Sequence, residues 1–138
     1  MNPQTRRDLL EAMHGEAFAY ASYMLFAEQA ELEGEPEAAE LLRETARVEL
    51  HEHFAELADL VGLAGRTVDN LRTAVAGESH EIETTYRHFI RDAEEAGETA
   101  AVERLSEIRE DEIGHRTVFQ DALARLEQAA ARETGSSE

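Results

Sequence analysis

The chain has 138 residues, with 31 Asp and Glu against 13 basic residues, a net charge of −18 at pH 7 and no Cys. This length suits one domain, and a hydrophobic content of 42% is sufficient for a folded core. The lack of Cys in this sequence excludes disulfides, zinc-thiolate sites and thiol catalysis. A surface this acidic repels phosphate backbones, so we expect no nucleic acid as a partner.

Membrane and export signals are also missing from the sequence. No stretch approaches the roughly 18 apolar residues that a membrane span needs. The N-terminal residues lead into an amphipathic run and not into an apolar signal core. We therefore expect a cytoplasmic protein that does not bind membranes.

Apolar residues recur at helical spacing in four segments, and the composition favours helix throughout. The first segment ends near Gly34. The second begins around Pro36, a residue favoured in the first helical turn, and stops at Gly62.

The third segment runs from about Asp69, the predicted N-cap, to Gly97, and the fourth runs from Val102 to Ala131. Four helices predict an all-α bundle over residues 1–131. Residues 132–138 show no periodicity and are predicted to form a disordered polar tail.

The two halves of the sequence repeat each other. Gly15-Glu16 matches Gly77-Glu78 at an offset of 62 residues. Further along, Gly34 matches Gly97 and Glu49 matches Glu112, both at an offset of 63. One residue inserted in the third helix explains the change. Each half is therefore predicted to be a helical hairpin, and the bundle to have pseudo-two-fold symmetry.

Polar residues interrupt the apolar stripes of all four predicted helices. Burying such carboxylates without partners costs several kcal/mol, and a bound cation offsets that cost. Carboxylates together with an imidazole suit iron or manganese. The residues concerned are Glu16, Glu49, Glu78, Glu81, Glu112 and His115.

Their spacing is typical of a di-iron carboxylate bundle, in which two helices each give a Glu and the other two each give Glu-x-x-His. Glu112-Ile-Gly-His115 fits this pair, whereas its repeat mate Glu49-Leu-His-Glu52 has Glu in place of His. His53, four residues after Glu49, also leans toward the stripe and is an alternative ligand to Glu52.

A metal-free acidic bundle is the structural alternative, because any single Glu in so acidic a chain is more often solvated. The alignment of these carboxylates with the internal repeat favours the metal site. Tyr23 and Tyr86 are most simply core aromatics, whose hydroxyl groups need a polar partner such as a ligating carboxylate.

These residues resemble the rubrerythrin family of ferritin-like di-iron proteins. The first hairpin resembles the family from Gly15-Glu16 through Tyr23 to Glu49. The second resembles it in Ala76-Gly77-Glu78-Ser-His-Glu81, followed by Tyr86 and by Glu112-x-x-His115. The resemblance covers nearly the whole chain and implies a ferritin-like four-helix bundle built from two hairpins.

The resemblance also implies roles for the individual residues. Glu49 and Glu112 bridge two metals, and Tyr23 and Tyr86 hydrogen-bond to ligating carboxylates. Glu52 or Glu81, whichever is bound less tightly, relays protons. The terminal ligands that the resemblance implies are Glu16, Glu52, Glu78, Glu81 and His115.

The implied cofactor is a pair of iron ions, with manganese as an alternative. The implied activity is reduction of hydrogen peroxide or dioxygen with electrons from an external donor such as a rubredoxin. The alternative is a ferroxidase that passes iron to a store or protein shell, with the polar tail as a remnant of, or a linker to, a docking peptide.

The link between the second and third helices is short for this fold. In ferritin-like topology these helices are parallel, and a link over residues 62–69 spans at most about 28 Å against a helix of about 39 Å. We therefore expect a homodimer in which two chains exchange hairpins, each bundle taking 1–61 from one chain and 70–131 from the other. The competing topology is an up-down-up-down monomer with a tight turn.

Overall fold

The computed structural model describes residues 1–135, and every regular element within them is a helix. Two short segments, π1 and π2, have the wider turn of a π-helix, in which the backbone bonds i to i+5. The elements are α1 (Pro3–Glu33), α2 (Pro36–Val48), π1 (Glu49–Phe54), α3 (Ala55–Val61), α4 (Thr67–His80), π2 (Glu81–Thr85), α5 (Tyr86–Ala96) and α6 (Thr99–Gly135). Because α2–π1–α3 and α4–π2–α5 each run without a break, the four predicted helical segments and the all-α class are confirmed.

The chain divides into two units, of which the first covers Met1–Ala64 and the second begins at Gly65. In the first hairpin, α1 packs against α2, π1 and α3. In the second hairpin, α4, π2 and α5 pack against α6. The two predicted hairpins are therefore confirmed.

Both hairpins turn at a glycine in the left-handed region, where a side chain would be strained. Gly34 has φ +80° and Gly97 has φ +73°. In the first turn, Glu35 N donates to the Ala30 carbonyl at 2.9 Å, and in the second Glu98 N donates to Ala93 at the same distance. The two turns thus share one capping geometry, as the repeat predicts.

The core of the first hairpin is built from small residues close to its turn. Ala27, Ala30 and Ala39 are buried together, with Leu42 packed against them. Small side chains let α1 and α2 approach closely there. Leu60, near the end of α3, is 62% exposed in this hairpin.

The link between the hairpins is shorter than predicted. Helix α4 begins at Thr67 after an extended Arg66, so Asp69 lies in the first helical turn and is not the N-cap. An acidic residue there still complements the helix dipole. The link therefore covers residues 62–66, and the Asn70 amide further fixes it by bonding both the N–H and the carbonyl of Gly65, at 2.7 and 3.0 Å.

The C-terminal helix is longer than predicted, since α6 continues to Gly135. The predicted tail, residues 132–138, therefore begins within a helix, and residues 136–138 lie outside the described residues. Among residues 1–135, none of the helices combines the length and apolar character that crossing a membrane requires.

Candidate metal centre

The first hairpin brings together two carboxylates and an imidazole. Glu16 projects from α1, and Glu49 and His53 project from π1. His53 Nδ1 lies 2.8 Å from Glu49 Oε2 and 3.7 Å from Glu16 Oε2. The Glu49 side chain is only 14% exposed, whereas His53 is 52% exposed. The carboxylate is thus held inside the hairpin and the imidazole lies at its edge.

The second hairpin brings together the same three groups. Glu78 projects from α4, and Glu112 and His115 project from α6. His115 Nδ1 lies 2.6 Å from Glu112 Oε2, and Glu112 is 16% exposed against 60% for His115. In burial and in contacts, Glu112 and His115 correspond to Glu49 and His53.

Each three-residue group fits a divalent metal ion. In both, one oxygen or nitrogen from every residue lies within 4.8 Å of the others, so one ion can contact all three. Two carboxylates and an imidazole are a donor set suited to iron or manganese. We refer to Glu16, Glu49 and His53 as the first half-site and to Glu78, Glu112 and His115 as the second half-site.

The second half-site concentrates negative charge. Burial raises the pKa of Glu78, and the hydrogen bond and charge of Glu112 raise it further. The carboxylates raise the pKa of both imidazoles above 6.5, chiefly through the hydrogen bonds His53–Glu49 and His115–Glu112. In the metal-free protein, protons on these groups offset the carboxylate charge that a metal ion would neutralise.

Two more predicted site residues lie beside the second half-site without belonging to it. Burial raises the pKa of Tyr86, and the charges of Glu81, Glu112 and Glu78 raise it further, so its phenol stands in the field of these carboxylates. Glu81, half-buried at the start of π2, also raises the pKa of Glu78.

The two predicted tyrosines occupy corresponding places in the repeat. The ring centroids of Tyr23 and Phe26 lie 6.4 Å apart, as do the ring centroids of Tyr86 and Phe89. Both pairs are three residues apart on a helix. The hydrogen bonds predicted from the tyrosine hydroxyls to ligating carboxylates stay a prediction.

Of the seven predicted ligands, the structure brings Glu16 and Glu49 together in one half-site, and Glu78, Glu112 and His115 in the other. Glu81 lies nearby, whereas Glu52 is exposed and borders a surface depression with Glu44 and Arg47. The residue beside Glu49 is instead His53, the alternative ligand to Glu52 that the sequence offers. Its position depends on π1, which helical periodicity does not reveal.

Comparison with known proteins gives a consistent result. A family model described as Rubrerythrin matches residues 8–123. A rubrerythrin of Porphyromonas gingivalis is 34% identical over 94% of this chain and 71% of its own length. Rubrerythrin-2 of Clostridium acetobutylicum is 30% identical over 88% of this chain and 73% of its own length. A rubrerythrin of Nitratidesulfovibrio vulgaris is 30% identical over 91% of this chain and 72% of its own length.

Proposed function

The chain belongs to the rubrerythrin family, and we propose that it is a di-iron oxidoreductase that reduces hydrogen peroxide or dioxygen with electrons from an external donor. Family membership also confirms the predicted ferritin-like class for its all-α fold. Rubrerythrins use a di-iron centre, and the two half-sites are groups that could hold its two ions.

The observation that carries this proposal is the match between the half-sites. Two carboxylates and one imidazole recur in each hairpin, with a partly buried carboxylate bonded to an exposed imidazole in both. A solvated acidic face has no reason to repeat both chemistry and burial. A pair of ions bound between equivalent ligand sets gives such a reason.

When bound, two iron(II) ions supply one electron each, which with two protons convert hydrogen peroxide into two water molecules. The protein residues hold the ions and deliver the protons. Glu49 and Glu112 would be the bridging ligands, because these carboxylates are only 14% and 16% exposed and each contacts the imidazole of its half-site. Glu16, Glu78, Glu81 and His115 would be terminal ligands. Either Glu52 or His53 of π1 would complete the set.

Glu81 is the residue best placed to deliver a proton. It is half-buried, and its charge acts on both Glu78 and Tyr86. A ligating carboxylate that is bound less tightly than the others can accept a proton from solvent and pass it inward. Glu52 is exposed, and Tyr23 and Tyr86 orient the ligating carboxylates.

The electrons are supplied from outside these 138 residues, by a donor such as a rubredoxin, because these residues contain no Cys to hold a Cys-ligated iron centre. The test is to measure metal content after purification without chelator, and then peroxide consumption with a chemical reductant. About two irons per chain and repeated peroxide turnover are expected. A protein that binds two irons but does not turn over peroxide or dioxygen would contradict the proposed activity.

A ferroxidase is the second candidate, favoured by the net charge of −18, which attracts Fe(II) from solution. In this case Fe(II) is the substrate, and the product is delivered to a store or a protein shell. A ferroxidase turns over Fe(II) added in excess and accumulates ferric product, whereas a peroxidase consumes peroxide as long as reductant is supplied. The two assays therefore separate the candidates.

We also propose that two chains exchange hairpins to complete the metal centre. The link of residues 62–66 extends at most about 18 Å, whereas a helix covering 36–61 is about 39 Å long. Both ends of the link are fixed: Arg6 donates to the Val61 carbonyl at 2.9 Å, and Asn70 holds Gly65. If the second and third helices of one chain were parallel in the same bundle, the link would have to run back along the full length of the second helix. A link of this length cannot do so.

A further inference from the structure

The internal repeat changes its offset twice, and each change falls at a π-helical segment. Glu16 and Glu78 are 62 residues apart, but Tyr23 and Tyr86 are 63 apart, and π2 lies between Glu78 and Tyr86. The one-residue insertion predicted in the third helix is therefore accommodated by π2. A single extra residue inside an otherwise continuous helix is what a π-helical turn absorbs.

The second change falls at π1 and concerns the metal centre directly. Glu49 and Glu112 are 63 residues apart, whereas His53 and His115 are 62 apart. The half-buried positions that follow the two histidines are also 62 residues apart. Phe54 and Leu57 are half-buried, as are Arg116 and Phe119, which lie 62 residues later. The first hairpin thus carries one extra residue between its glutamate and its histidine.

The turn of the π-helix explains why this extra residue does not displace the histidine. In an α-helix, i+3 lies about 60° short of a full turn from i and about 4.5 Å along the axis. In a π-helix of about 4.4 residues per turn, i+4 lies about 30° short of a full turn and about 4.6 Å along. His53 in π1 therefore occupies nearly the place relative to Glu49 that His115 occupies relative to Glu112 in α6.

The same geometry turns Glu52 away from the site. At i+3 in a π-helix, its side chain lies about 115° from the direction of Glu49. The structure agrees, because Glu52 is exposed beside Glu44 and Arg47, whereas His53 Nδ1 contacts both Glu49 and Glu16.

We propose that π1 makes His53, and not Glu52, the metal ligand of the first hairpin. Each half-site then gives two carboxylates and one imidazole to the centre, and Glu81 of the second hairpin adds a fifth carboxylate. This inference rests on the proposed di-metal function. It changes the predicted ligand set from six Glu and one His to five Glu and two His. The centre carries one negative charge less than the sequence alone predicts.

The first test compares His53→Ala with Glu52→Gln, with His115→Ala as the matched variant of the second half-site. Metal content is measured by elemental analysis after reconstitution with Fe(II), and affinity is measured by anaerobic titration with Co(II). We expect His53→Ala and His115→Ala each to weaken binding about tenfold or more, and Glu52→Gln to bind as the wild type does. Circular dichroism checks that all variants fold.

The second test deletes Glu52. The deletion removes the extra residue and leaves Glu49-Leu-His-His, in which His53 stands three residues after Glu49, as His115 does after Glu112. A continuous α-helix can then replace π1 without changing the register of α3. We expect the deletion variant to fold and to retain two metal ions per chain.

The results distinguish this inference from the function on which it rests. Loss of binding in Glu52→Gln or in the deletion variant, with normal binding in His53→Ala, would overturn the assignment of His53 while leaving a metal protein. A wild-type chain that binds neither Fe(II) nor Co(II) would overturn the proposed function itself.

Discussion

Arg109 Nε donates a 2.8 Å hydrogen bond to the main-chain carbonyl of Ile82, which lies within π2. A π-helical turn disturbs the regular pairing of backbone groups, and a side-chain donor can satisfy a carbonyl that the helix does not. Ile82 is only 3% exposed, so this carbonyl has little access to water. Arg109 thereby ties π2 to α6 one turn before Glu112.

Arg109→Met, which keeps most of the aliphatic stem, is therefore expected to lower the free energy of unfolding by about 1 to 2 kcal/mol. The matched control is Arg104→Met, which removes an exposed Arg that pairs with Glu107 on the same helix. Both side chains of that pair are exposed to solvent, so its loss should change the free energy of unfolding by less than about 0.5 kcal/mol. Urea unfolding measures both, and equal effects would show that the bond to Ile82 contributes nothing specific.

Glu78→Gln should separate metal binding from the stability of the metal-free protein. Because burial and Glu112 raise the pKa of Glu78, the folded metal-free state disfavours its charged form, and a neutral amide relieves that conflict. We expect the melting temperature of the metal-free variant to be equal to or above that of the wild type, and its metal affinity to fall about tenfold or more.

The control for Glu78→Gln is Glu83→Gln, which alters an exposed carboxylate paired with Arg116 at 3.0 Å. This variant should bind metal normally. A metal-free Glu78→Gln protein that melts well below the wild type would show that the carboxylate stabilises the fold without metal, contrary to its raised pKa.

Metal affinity should increase with pH above the ordinary histidine value. His53 and His115 have folded-state pKa values raised above 6.5, and each must lose its proton before it binds a metal ion. Protons therefore compete with the metal at any pH below the raised pKa, and the competition fades above it. Titrations with Co(II) at about pH 6 and about pH 8 should show tighter binding at the higher pH, with protons released at the lower pH.

The metal-free protein should show the opposite trend in stability. A raised histidine pKa contributes stability that is complete below 6.5 and is lost as pH rises through the folded-state value. The raised pKa of Glu78 acts in the same direction, since its contribution is complete below 4.5 and is lost above that. Thermal melts of metal-free protein should therefore fall from about pH 6 to about pH 8, and a rise would contradict these directions.

The second half-site was predictable from the sequence because α6 is a regular α-helix, in which Glu112 and His115 share a face. In the first half-site Glu16 and Glu49 were equally predictable, but His53 was only an alternative to Glu52, because periodicity assumes a constant turn and favours the residue three positions after Glu49. The change of offset from 63 at Glu49 to 62 at His53 was a readable signal, but its meaning depends on whether the extra residue stays inside the helix. Only backbone hydrogen bonding decides that point.

Hairpin exchange predicts a dimer with a mass about twice 15.4 kDa by light scattering. Leu60 and Phe89 are 62% and 47% exposed, and a second chain would cover such apolar residues. Inserting about 12 Gly and Ser residues between Leu63 and Ala64 adds about 40 Å of reach, enough for both hairpins of one chain to form a single bundle.

The insertion variant should shift toward monomers on dilution while it retains two metal ions per chain. The same segment added after Glu138 is the control, because it adds equal mass without lengthening the link, and that variant should stay dimeric. A native chain that is monomeric at micromolar concentration and binds two ions would contradict hairpin exchange and favour the up-down-up-down monomer. Since the link is held by Arg6 at one end and Asn70 at the other, its length, and not its flexibility, is the variable that this comparison tests.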